Sequence, residues 1–272
     1  MDWKSIPIEN LRSIYDMMSL KGKIAFITGA AGGIGRTSAA VMAEAGAAVV
    51  LADLPEKSQR LGEIAAFLRE RHGVETLEVT GDVADEAEVK NMFAAVKQRF
   101  GGVDIVHSNA GYATPDDTLD MELAVWQRML DVNYTGAMVV AREGAKLMKE
   151  GNRGGSIIFT ASICGHIINR RPEGRRYSPG YTSTKAAIRH VAKVLAMDYL
   201  PWNIRVNSIS PGYIESGPKR STTYVDFNLS QVPMGRFGTL NDLAGAILFF
   251  ASDLSSYNTG TDLLVDGGYC AW

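Results

Sequence analysis

Side chains that bind metals are scarce in this chain: 272 residues include two cysteines and four histidines. Cys164 and Cys270 are too far apart for a paired-thiolate motif. His72, His107, His166 and His190 have neither ligand spacing nor an acidic cluster beside them. This argues against a zinc enzyme and a disulfide framework, and suits a reducing cytosol. Charge of one sign is missing too. With a formal net charge of −2, nothing global attracts nucleic acid or an anionic membrane. Apolar runs such as "AAVVLA" and "AGAILFFA" fall far short of the roughly 20 residues a membrane span needs. The opening stretch is polar and interrupted by Pro7, unlike a secretory leader. The expectation is a cytoplasmic protein with no metal, nucleic-acid or membrane partner.

What is present is alternation. Short β-rich runs, "KIAFIT", "AAVVLAD", "ETLEVTGD", "VDIVHSN", "GSIIFTA", "IRVNSIS" and "DLLVDGG", are separated by helical patterns near 33–46, 57–72, 85–100, 119–150, 180–200 and 239–253. This order predicts an α/β fold: one doubly wound parallel sheet, Rossmann-like, covered by helices on both faces. Composition shows no break, so 21–272 reads as a single domain preceded by an extension, 1–20. The extension's Ile6, Ile8, Leu11, Ile14, Met17 and Met18 suggest a short helix packed on its own domain or a neighbouring subunit. Residues 212–235 lack periodicity and read as loop or short helices over a cleft.

"TGAAGGIGR" follows the first strand directly. Its glycines allow a tight turn and close approach of a ligand, and the helix that follows aims free N–H groups at an anion. The second strand ends at Asp53, 18 residues after Gly35, where an acid is placed to bind the adenosine ribose hydroxyls. A carboxylate there repels a 2′-phosphate, so the reading favours NAD over NADP, with Arg36 expected to face solvent or the pyrophosphate.

The spacing Thr-Gly-x-x-x-Gly-x-Gly, with Gly29, Gly33 and Gly35, resembles the short-chain dehydrogenase/reductase family over about 21–272. The resemblance implies cofactor contacts from Ile34 and Leu54 beside those glycines and Asp53, and adenine contacts from Asp82 and Val83 in "GDV". It implies Asn109 and Gly111 in "SNAG", where Ser108 replaces the family's first asparagine. It also implies a nicotinamide-holding segment "SPGYIES", with Pro211, Gly212, Ile214 and Ser216.

A proton-transfer group needs a pKa near working pH, and a free tyrosine titrates near 10. Tyr181 and Lys185 stand i, i+4 on a predicted helix, so an ammonium shares the phenol's face; Tyr177 has no such partner. Lowering the phenol by about three units takes roughly 4 kcal/mol, a demand that Lys185 and a positive nicotinamide ring are expected to meet jointly. Tyr-x-x-x-Lys is also the family's motif. The resemblance then assigns Ser162, at the end of "SIIFTAS", to the substrate oxygen, Lys185 to the nicotinamide ribose as well, and Asn133 to anchoring a water that relays the proton.

Ser162 and Tyr181 are 19 residues apart, several more than is usual in the family, and the surplus carries Arg170, Arg171, Arg175 and Arg176. Two readings compete: a solvated loop or subunit contact, and a clamp, represented by Arg175, for an anionic group on the substrate. "GHIINRRP" and "VDGGYCAW" are similar to family members acting on sugar alcohols and ketoses, which makes Cys164, Asn169 and Tyr213 substrate candidates. The expected activity is NAD-dependent hydride transfer on a secondary alcohol or ketone, preferably a polyol, sugar or related compound. The alternatives are an oxoacyl or other ketone reductase and a non-catalytic NAD(H) sensor. A homo-oligomer, tetramer or dimer, is expected from the long helices at 119–150 and 180–200 and from the resemblance.

Overall fold

Strand β1 (Ile24–Thr28) is buried along its whole length, as a strand covered on both faces must be. Its side chains alternate: Ile24 and Phe26 enter one apolar core, Ala25 and Ile27 the other. The computed structural model describes residues 11–114, 120–173, 176–215 and 222–272, except the side chains of 222–224. Around β1 it sets β2 (Ala48–Asp53), β3 (Thr76–Thr80), β4 (Ile105–Ser108), β5 (Gly155–Thr160), β6 (Ile204–Pro211) and β7 (Asp262–Val265). All neighbours are parallel, in the order β3-β2-β1-β4-β5-β6-β7, as the alternation predicts.

A short α1 (Ile14–Met18) precedes the sheet. It buries none of its residues and rests by the turn at 253–255, where Arg12 pairs with Asp253 at 2.9 Å. Ile6 and Ile8 lie outside the described residues. Helices α2 (Gly33–Glu44) and α3 (Ser58–His72) cover one face of the sheet, α4 (Glu86–Phe100) the other. Phe93 of α4 stacks on Phe26 with ring centroids 4.4 Å apart. The helix expected at 119–150 is composite: α5 (Leu123–Leu130), a π-helical turn at Asp131–Gly136, then α6 (Ala137–Glu150). Periodicity cannot reveal a single widened turn, and such turns concentrate at functional sites. Asn133 sits in it. Pro179 opens α7 (Pro179–Tyr199) at the position where a missing N–H costs nothing. A short α8 (Thr222–Leu229) falls in the aperiodic stretch, and α9 (Leu240–Ala251) packs Leu243, Ile247 and Phe250 beside α2.

Sheet order reverses between β1 and β4. The carboxyl ends of the strands there open a crevice, where ligands of such sheets bind.

Candidate active site

That crevice is a cavity of about 1040 Å³, at the upper end of the range of small-molecule sites. Gly29, Gly33, Ile34, Gly35, Asp53, Leu54, Asp82, Val83, Asn109, Gly111, Tyr181 and Lys185 all line it. Gly29 has φ +65°, and a Cβ on Gly35 would collide with the Gly29 carbonyl, so the turn admits only glycine at both places. Asp53 Oδ2 accepts from the Ala31 N–H and Oδ1 from the Leu54 N–H, each at 2.9 Å. Each oxygen keeps a lone pair for a further donor. Arg36, exposed at the start of α2, lines the cavity as well, together with Lys57 and Arg60. Asp82 is held by an ion pair with Arg128, which the sequence reading did not single out.

The "SPGYIES" segment leads from the end of β6 to the cavity. Pro211 and Gly212 are spent on the sheet: Pro211 pairs with Val265, and Gly212 N–H donates to the Val265 carbonyl at 3.0 Å. Ile214 packs beside Gly238. None of the three lines the cavity, whereas Glu215 does. Ser216 lies outside the described residues.

Tyr181 and Lys185 project from one face of α7 into the cavity. Lys185 is 4 % exposed and donates to the Thr160 carbonyl at 2.6 Å, with Nζ 5.6 Å from the Tyr181 ring centroid. Burial lowers its pKa to about 8. The expected acidic phenol is not found in the protein alone: burial pushes Tyr181 up to about 12, opposed by its hydrogen bond with Ser162. The reason is that the phenol is stripped of water, which penalises its charged form.

Ser162 and Asn133 stand just behind the lining, both buried. Ser162 Oγ accepts from the Cys164 N–H at 3.2 Å. Asn133 Oδ1 accepts from the Tyr112 N–H at 2.9 Å, and Nδ2 donates to the Tyr112 carbonyl at 2.8 Å. Both ends of the amide are thus engaged. The Asn133 side chain holds the Tyr112 backbone, next to Gly111 and Lys185.

Sequence reasoning also missed a hydrogen-bond chain under the site. Asn109 Nδ2 donates to the Thr28 carbonyl, which leaves Oδ1 to accept from Thr160 Oγ1 at 2.9 Å. Thr160 then accepts from His107 Nε2 at 2.9 Å, and His107 Nδ1 accepts from Ser38 Oγ at 2.7 Å. A histidine within a fully buried strand was the available signal.

The substrate candidates Cys164 and Tyr213 pack in one small cluster with Ile163, Val232 and Tyr269. Asn169 joins it by donating to Tyr213 Oη at 3.2 Å. Arg175 lies outside the described residues. His166 makes ordinary contacts, 2.6 Å from Asp262 and 3.2 Å from Ser210. Among the described residues no group of three His, Cys, Asp or Glu is placed to hold a metal, and no helix is long and apolar enough to cross a membrane.

A family model described as enoyl-(acyl carrier protein) reductase matches residues 29–270. Sorbose reductase sou1 of Schizosaccharomyces pombe is 39% identical over 262 residues, covering 94% of this chain and 98% of its own. An NADP-dependent mannitol dehydrogenase of Alternaria alternata is 35% identical over 97% and 98% of the two chains. A short-chain type dehydrogenase/reductase from Mycobacterium marinum superposes with a TM-score of 0.87 at 39% identity, over 95% of this chain and 99% of that one.

Proposed function

The chain belongs to the short-chain dehydrogenase/reductase family, and from that premise we propose that it is an NAD-dependent oxidoreductase acting on the secondary alcohol of a polyol, sugar or sugar derivative, or on the matching ketone. One observation carries the reading: the Tyr181 and Lys185 side chains line the same cavity as the glycine turn and Asp53. The relatives named for sorbose and mannitol support the substrate class. Two free cysteines agree with a cytosolic setting.

A nicotinamide dinucleotide fits the cavity along the glycine turn, and when bound supplies the hydride acceptor or donor. The remaining work falls to the protein. Ser162 Oγ donates a hydrogen bond to the substrate oxygen and fixes it against Tyr181. In oxidation Tyr181 Oη takes the hydroxyl proton as the carbonyl forms, and in reduction it returns that proton. Lys185, anchored on the Thr160 carbonyl, keeps positive charge beside the phenol and holds the nicotinamide ribose. Asn133 steadies the turn beneath it.

The test is an NAD-coupled absorbance screen across polyols, aldoses and ketoses, with Tyr181→Phe beside the wild type. Loss of the proton acceptor is expected to cut kcat by about 10²–10⁴-fold. NADH affinity, read by fluorescence titration, is expected to stay close to wild type. Turnover retained in the variant excludes the mechanism, and tight NADH binding without any turnover identifies a sensor instead.

A further inference from the structure

The segment between Ser162 and Tyr181 has no part in the chemistry just described, yet some of its described residues are held in place. Asn169 is 6% exposed, with Nδ2 on Tyr213 Oη and Oδ1 without a partner. The Arg170 backbone is hydrogen-bonded to the Tyr269 hydroxyl, which also bonds Tyr213. Arg171 lies over the Tyr177 ring, its Cζ 5.6 Å from the centroid, and its Nε is buried without a hydrogen-bond partner. The loop is therefore anchored on the wall that carries Cys164 and Tyr213, not adrift in solvent.

Asn169 is tied to the reaction centre by packing: it bonds Tyr213, which shares a cluster with Cys164, and the Cys164 N–H donates to Ser162 Oγ. The unmatched amide oxygen thus belongs to the cluster that begins beside Ser162. A buried donor and a buried acceptor left unmatched, both on one short stretch, each cost free energy until a ligand meets them. A guanidinium placed over an aromatic ring still offers a fork that fits a carboxylate. An amide oxygen lacking a donor fits a hydroxyl.

We propose that Arg171 and Asn169 form a subsite for a carboxylate and its neighbouring hydroxyl, so that the substrate is a polyhydroxy acid. The proposal rests on the oxidoreductase reading above. It is tested with a panel of six-carbon aldonates against alditols of matching configuration, at equal ionic strength. The wild type is expected to favour the acids by about tenfold or more in kcat/KM, as one charge-assisted contact supplies. In Arg171→Leu the acid-to-neutral ratio falls by about 30-fold, mainly through KM for the acids. Arg171→Lys, which keeps charge without the fork, falls less and guards against a folding failure; NADH affinity monitors the fold in both. A purely structural role would lower both substrate classes alike and leave the ratio unchanged, which overturns the proposal.

Binding alone gives a second answer. Aldonates are expected to raise the melting temperature of the NADH-loaded wild type but not of Arg171→Leu, and alditols to leave both unmoved. No aldonate shift overturns the subsite even where turnover is found. A shift without turnover leaves the subsite standing and removes the enzyme reading.

Discussion

Asp53 concentrates the cofactor choice in two oxygen atoms, each already holding a backbone N–H at 2.9 Å. Added ribose hydroxyls would complete their shells, whereas a 2′-phosphate would confront the carboxylate. Against this stand Arg36, Lys57 and Arg60 on the cavity lining, and a relative named as NADP-dependent. We expect kcat/KM to favour NAD. Asp53→Asn should erode the NAD-to-NADP ratio by about 10- to 100-fold, the worth of hydrogen bonds to a charged group. A wild-type preference for NADP would assign those three cations to the phosphate. This acid was legible in the sequence because strand end and spacing are local properties. Arg36 beside the glycine turn was legible too, but Lys57 and Arg60 were not, because only the fold brings them to the rim beside it.

At the scale of elements, the chain Ser38, His107, Thr160, Asn109 and Thr28 ties α2, β4, β5 and β1 together beneath the cofactor cavity. Its polarity requires neutral His107, with the proton on Nε2. Burial, and then the charge of Lys185, lowers His107 from 6.5 to about 3. The unfolded chain therefore binds a proton below pH 6.5 that the folded one refuses until about pH 3. Stability is retained above 6.5 and falls as pH drops through that window, by about 1.4 kcal/mol per unit. Urea midpoints between pH 4 and 7 should show this slope in the wild type and a flatter one in His107→Gln, which keeps polar contacts but does not titrate. Equal slopes would show that other groups dominate acid unfolding. The seven strands were readable from apolar runs, and five of the six helices to within a few residues. The π turn in the sixth was not, since widening one turn leaves the apolar pattern almost unchanged.

At the scale of the whole molecule, α7 exposes Val194 (47%) and Met197 (57%), and α5 beside it exposes Leu123 (76%). Apolar groups one turn apart on a long helix favour burial against a second copy, the same helices meeting across a two-fold axis. Light scattering is expected to give two or four chain masses, and Met197→Glu to shift the population toward monomer. A monomeric wild type would remove the idea.

The sequence by itself determined the sheet class, the phosphate-binding turn, Asp53 and the pairing of Tyr181 with Lys185, because each depends on neighbours within a turn, a strand or one crossover unit. Tertiary structure alone decided that Lys185 donates to the Thr160 carbonyl, that Asn133 clamps the Tyr112 backbone, that Glu215 lines the cavity where Ile214 does not, and that Asn169 and Arg171 are held with unmatched polar atoms. Those outcomes depend on which distant groups compete for a hydrogen bond once water has been removed, and spacing along a chain does not encode that competition.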